Sequence, residues 1–182
     1  MAKRNEIIKD ILTILTAAGL ITIALVAPGA LIAIDEVLKL NKKYTSKQIK
    51  RSFRNLERTK IISLTEEDGK TVMRLTKKGQ KKVMHFKLED MKIKPMKRWD
   101  RKWRLVIFDV PKDFHVNRTI FAQKLKGIGF KKLQKSVWIT PYPCEDEVDF
   151  LKEIYLIRPY VRVIIAEAID IQNDLLMQFN LL

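Results

Sequence analysis

One carboxylate and one basic constellation have the types and spacing for chemistry in this chain. Asp109 closes the stretch Lys102-Trp103-Arg104-Leu105-Val106-Ile107-Phe108-Asp109-Val110-Pro111. An apolar run this short, stopped by a proline, predicts a buried strand. The carboxyl end of such a strand is where α/β folds commonly place ligands, so Asp109 is a candidate for chemistry or for a purely structural role. The basic set is Lys47, Lys50, Arg51, Arg54 and Arg58, followed by Lys70, Arg74, Lys77 and Lys78. Arginine offers a planar fork suited to guanine edges, and lysine a point charge suited to phosphate. Together they point to double-stranded DNA as a partner.

Other reactive groups are sparse. Cys144 is the single cysteine, which leaves neither a disulfide framework nor a cysteine zinc site. His85 and His115 stand alone in the sequence and read as surface or core residues. Neither G-x-x-x-x-G-K-S/T nor G-x-G-x-x-G occurs, so nucleotide hydrolysis and dinucleotide binding have no support. Charge sharpens the reading. The formal net charge is +15, and from Lys39 to Arg104 there are 23 Lys/Arg against 7 Asp/Glu, a net of +16. A basic half beside a nearly neutral remainder predicts an anionic polymer or surface as partner, with a merely solvated basic face as the bland alternative.

The elements that must position the basic set are legible. Thr45-Ser46-Lys47-Gln48 fits a capping box that opens a helix. Ile49, Phe53 and Leu56 recur along it as one inward stripe, which leaves the basic residues on its other faces. Ile61-Ile62-Ser63-Leu64 and Val72-Met73-Arg74-Leu75 read as strands joined by the turn Glu66-Glu67-Asp68-Gly69-Lys70. Helix, strand, turn, strand is the order of a winged helix, assigned to residues 41–86. The chain here resembles many winged-helix regulators, whose recognition helix ends in L-E-x-x-x-I-I and whose wing closes with L-T-x-x-G. The matching residues are Leu56-Glu57-Arg58-Thr59-Lys60-Ile61-Ile62 and Leu75-Thr76-Lys77-Lys78-Gly79. The sequence departs from that pattern at Thr59-Lys60, where a glycine is common. The resemblance implies a recognition helix in the major groove. Lys42, Lys43, Lys47 and the lysines from Lys77 to Lys82 would contact phosphate, which carries no sequence information.

Residues 87–101 read as an extended linker rich in Pro and Lys, with Trp99 and Trp103 anchoring it onto the domain that follows. Residues 102–170 then show the order β-α-β(β)-α-β of a ferredoxin-like unit. Its first helix spans about 115–128 with Ile120, Phe121, Leu125 and Ile128 inward. Strand material with a break covers 130–142. Cys144-Glu145-Asp146-Glu147 places carboxylates at a helix N-terminus, where the dipole favours them, and the last strand covers 160–165. Residues 171–182 form a tail that caps the sheet or swaps onto a partner. The fold class is α+β throughout.

This second half resembles the central domain of the PaaX-like repressors of phenylacetate catabolism, and through it the CRISPR-associated Cas-two nucleases. The carrying residues run from Trp103 to Pro111, Leu125 to Phe130, Leu133 to Ile139 and Tyr160 to Val163. In the Cas-two nucleases the aspartate ending the first strand is the proposed metal ligand, contributed by both protomers of a homodimer. Asp109 occupies that position, so the resemblance implies that two facing carboxylates could hold Mg²⁺ and activate water against a phosphodiester. A regulator on the same fold would require no cofactor.

Two readings are open for the N-terminus. Ile11 to Ile34 is free of charge over 24 residues, and one helix of that length, about 36 Å, would cross a bilayer and leave the basic segment in the cytoplasm. Thr13, Thr16, Thr22 and Pro28-Gly29 favour instead two helices, about 5–26 and 29–40, packed on the DNA-binding helix or on a second protomer. The leading expectation is a dimeric, cytoplasmic winged-helix transcriptional repressor of PaaX-like type with a Cas-two-like dimerisation domain. The alternatives are a Mg²⁺-dependent Cas-two-type endonuclease or spacer-acquisition subunit, and a membrane-tethered DNA-binding protein.

Overall fold

The computed structural model describes residues 2–17, 23–25, 44–67 and 70–181. They divide into two compact units, Met1–Asp90 and Met91–Leu182. Each combines helices with one antiparallel sheet.

The first unit runs α1 (Ala2–Ala17), β1 (Ile23–Leu25), α2 (Ser46–Arg58), β2 (Ile62–Glu67), β3 (Lys70–Leu75) and α3 (Lys77–Asp90). The sheet order is β1-β3-β2, with Ile62 opposite Leu75 at one end of the hairpin and Glu67 opposite Lys70 at the other. Its core joins Ile7, Ile8, Ile11 and Leu12 of α1 to Ile49, Phe53 and Leu56 of α2, with Tyr44, Ile61, Ile62, Met73 and Phe86. The Tyr44 hydroxyl donates to the Asp10 carboxylate at 2.9 Å, and Lys9 pairs with Asp90. Helix α1 thus packs on the predicted DNA-binding helix through Ile7, Ile8, Ile11 and Leu12.

The expected helix over 5–26 ends early. It stops at Ala17, and Ile23–Leu25 is instead a strand paired with Thr71–Met73. An unpaired edge of β3 offers a hydrogen-bond ladder that no helical periodicity reveals. The expected helix over 29–40 lies outside the described residues. Among the described residues no helix is long and apolar enough to cross a membrane.

The second unit runs β4 (Trp103–Phe108), α4 (His115–Gly127), β5 (Lys131–Gln134), β6 (Val137–Thr140), α5 (Glu145–Ile154), β7 (Val161–Ala166) and α6 (Gln172–Gln178). The antiparallel order β5-β6-β4-β7 puts β4 in the middle. Both helical connections skip a strand, the topology of a ferredoxin-like unit. On one face Phe108 meets Phe121 of α4 edge-on at 5.2 Å. Phe121 and Leu125 form the buried stripe of that helix, continued by Ile128 at its C-cap. Ile120, expected inward, is exposed, because it lies beside the stripe that actually meets the sheet. On the other face Trp103, Ile139 and Leu175 make a second core with Phe179 and Leu181. The C-terminal residues therefore cap their own sheet.

The linker expected over 87–101 is shorter and better anchored than its composition suggests. Helix α3 continues to Asp90, and Trp99 lies 4.9 Å from Trp103, its Nε1–H donating to the Lys102 carbonyl. Arg104, 5 % exposed, donates to Asp100 at 2.8 Å and to the Pro141 carbonyl at 3.1 Å. The Arg104 hydrogen bond, with its positive charge, holds the Asp100 carboxyl below its ordinary pKa despite partial burial. This pair fastens the entry of β4 to the loop after β6.

Candidate nucleic-acid interface

The basic face is held by α2, and both ends of that helix are closed locally. At its start the Thr45 hydroxyl accepts from the Gln48 N–H at 3.3 Å and the Thr45 N–H donates to the Gln48 side chain at 2.8 Å. This is the reciprocal capping box the sequence suggested. At its end the missing glycine is not needed. Lys60 takes the left-handed conformation itself, with φ +55°. The Lys60 N–H donates to Glu57 O and the Ile61 N–H to Leu56 O, both at 2.8 Å, the paired closure typical of a helix C-terminus. Lys78 Nζ donates to the Thr59 carbonyl at 2.9 Å, placing a cation where the helix dipole is negative.

The L-T-x-x-G segment has a physical reading as well. The Thr76 hydroxyl donates to the Lys60 carbonyl at 2.6 Å and accepts from the Gly79 N–H at 3.1 Å. A Cβ on Gly79 would stand 2.1 Å from the Ile61 carbonyl oxygen. Only glycine lets the first turn of α3 lie this close to the α2–β2 connection, so the motif fixes the frame in which α2 presents its outer face.

With Ile49, Phe53 and Leu56 buried, the residues on the other side converge. Lys47, Lys50, Arg51 and Arg54 line one groove of about 560 Å³ together with Ser46, which the sequence did not single out. Arg58 lies outside it, in the last turn, with its guanidinium turned to Asn55 at 3.4 Å. Arg74 is on β3, within reach of the Thr65 hydroxyl at 3.2 Å. Lys70 opens β3 opposite Glu67. Lys77 is exposed in the first turn of α3. Lys42 and Lys43 lie outside the described residues. The basic candidates are therefore one cluster on α2 and separate outliers.

Asp109 sits apart from this set, just after β4. Its N–H donates to the Tyr160 carbonyl at 3.0 Å, tying the strand end to β7. Its side chain is exposed and lines a cleft of about 480 Å³ with Ser136, Tyr160 and Arg162. The Arg162 guanidinium is spent on main-chain carbonyls, Pro159 and Val161 at 2.9 Å each. Arg118 donates to the Ser136 hydroxyl at 2.9 Å. The carboxylate thus neither caps the turn near Asp113 nor pairs with an arginine. Asp109 is the single acid lining the cleft, and among the described residues no cluster of three His, Cys, Asp or Glu could hold a metal ion. Cys144 is buried, and desolvation with nearby carboxylates pushes its thiol up to about 12, which disfavours the reactive thiolate.

Residues 96–177 match the model of a protein family described as the PaaX protein central Cas2-like domain. The match covers nearly all of the second unit and leaves the first unit outside it. No curated protein matches the chain.

Proposed function

We propose, from the match of the second unit to the PaaX central Cas2-like domain, that the chain is a dimeric DNA-binding transcriptional regulator, whose first unit is a winged helix and whose second unit pairs the protomers. The observation that carries the reading is the convergence of Lys47, Lys50, Arg51 and Arg54 on one groove of a helix whose opposite side is core. In this reading α2 enters the major groove, Arg51 and Arg54 address base edges, and Lys47, Lys50 and Lys77 bind phosphate. The β2–β3 hairpin is the wing and contributes Lys70 and Arg74. Arg58 is an outer contact, and Lys78 serves the end of α2.

Pairing of protomers is supported by apolar surface on the second unit. Ile164, in register with Leu105 on β4, is exposed on the sheet face away from α4. A twofold assembly of such units would set the spacing of two half-sites. The regulator requires no cofactor.

The test is duplex binding by fluorescence anisotropy over a salt series, with genomic fragments and the variants Arg51→Ala and Arg54→Ala. Each substitution is expected to weaken specific binding about 10-fold or more, the value of a good base contact. Equal affinities for wild type and both variants would remove the reading. Light scattering that gives a monomer mass at micromolar concentration would remove the half-site geometry.

The nuclease reading has weaker support, since the Asp109 cleft brings one carboxylate per chain and would need a second copy to complete it. Incubating the protein with DNA and Mg²⁺ separates the two. Cleavage abolished by Asp109→Ala would establish the enzyme, and intact DNA would leave the regulator.

A further inference from the structure

A second cationic groove lies in the second unit, built by residues that neither the basic helix nor Asp109 involves. Lys126 from the last turn of α4 and Lys131 and Lys132 from the edge strand β5 line a groove of about 350 Å³ with Gly129, Phe130 and Trp138. The three lysines are exposed, and among the described residues none forms an ion pair. Lys131, opposite Ile139, sets its ammonium over the Phe179 ring at 5.9 Å, which leaves the ammonium groups of Lys126 and Lys132 to the groove. Residues 114–144 hold six Lys/Arg and no Asp/Glu, so nothing nearby in the chain cancels this charge. Trp138 is 5 % exposed, and its Nε1–H is buried without an acceptor.

Two ordinary explanations cover parts of this arrangement. A lysine in the last turn of a helix complements its dipole, which accounts for Lys126. Lysines on an edge strand deter pairing with another chain, which accounts for β5. Neither explains why Lys126 and Lys132 share a groove with an indole whose donor is unmet, when buried donors are nearly always satisfied. A groove that offers two ammonium groups beside an unmet indole N–H, and no carboxylate, selects a ligand made of anionic oxygen acceptors.

We propose that this groove is a phosphate-binding site and that its occupant is the sugar-phosphate backbone of nucleic acid. An open groove at a sheet edge, with exposed lysines and no side-chain acceptor to read a base, suits contact with the backbone rather than with sequence. The occupant rests on the DNA-binding reading above, whereas the phosphate chemistry stands without it.

The test uses the full chain labelled with ¹⁵N. Trp138→Phe identifies the Trp138 indole resonance among the three tryptophans. Adding a mixed-sequence duplex is expected to shift that resonance. Lys126→Gln combined with Lys132→Gln is expected to suppress the shift and to lower the slope of log K against log salt by about 2, at about 0.9 per phosphate contact. An unchanged slope with a silent Trp138 resonance overturns the groove, even where Arg51→Ala with Arg54→Ala still weakens binding. A Trp138 shift that persists while the arginine variant binds like wild type supports the groove and overturns the recognition helix instead. A shift with inorganic pyrophosphate and none with duplex overturns the nucleic-acid occupant in favour of a small phosphorylated molecule.

Discussion

Gly79→Ala separates a local from a tertiary account of the first unit by the sign of its effect. In an isolated helix the change is favourable by about 0.5–1 kcal/mol, because glycine loses more backbone freedom on ordering than alanine does. Here the new Cβ would stand 2.1 Å from the Ile61 carbonyl oxygen and 3.0 Å from Leu75 Cδ2. The first of these contacts must lengthen by about 1 Å to reach the closest approach real Cβ atoms tolerate. That retreat falls on the hydrogen bonds holding α3 to the end of α2. The Thr76 N–H donates to Ile61 O at 3.1 Å, and the Gly79 N–H donates to the Thr76 hydroxyl at 3.1 Å. Each bond contributes about 1 kcal/mol, and overpacking a tight site costs about 1–3 kcal/mol. Set against the helix gain, the net is a loss of about 2–4 kcal/mol. Urea unfolding followed by circular dichroism reads it directly. With a slope near 2 kcal/mol/M, the midpoint falls by about 1–2 M at unchanged slope. A midpoint equal to or above that of wild type would refute the close approach of α3 to the α2–β2 connection.

Lys60→Gly should act in the opposite direction. It relieves a left-handed lysine at φ +55°, and after glycine's own entropy cost it is expected to stabilise by about 0.5–1 kcal/mol in the same urea assay. Asp100→Asn leaves the buried Arg104 guanidinium without its counter-charge and should cost about 2 kcal/mol, less than a fully buried pair because Asp100 is partly solvated. Since the folded carboxyl is held below its ordinary value, the pair's contribution is complete above the unfolded carboxylate range near pH 4 and is lost as pH falls through the lower folded value. The variant's stability should therefore flatten relative to wild type in acid, and parallel curves down to pH 2 would count against the pair. Cys144 should resist thiol reagents at neutral pH and react only on unfolding, because burial pushes its thiol up to about 12. Rapid labelling of the folded protein would contradict its burial.

Much of the local structure was legible because its causes are local. The Thr45–Gln48 capping box, the stripe of Ile49, Phe53 and Leu56, and the apolar run ending at Asp109 rest on spacings of a few residues, and each element formed where those spacings put it. The alternation of helix and strand after Pro111 likewise fixed the βαββαβ order, whose carrying residues are those the family match covers. Tertiary structure decided what depends on a distant partner. Ile23–Leu25 is a strand because β3 presents an open edge some fifty residues later in the chain. Gly79 is required because Ile61, far from it in sequence, approaches to within a Cβ's radius. The tail folds onto Trp103 because Trp103 and Ile139, apolar residues on that sheet face, need cover from water. Composition alone located a basic half, but only packing could turn four of its cations into one groove on α2. Packing within the second unit likewise brought Lys126 of α4 and Lys132 of β5 to one groove with a tryptophan on β6. The physical reason is the same in each case: periodicity encodes which side of an element avoids water, and only the assembled layers decide what meets that side and what remains on the other.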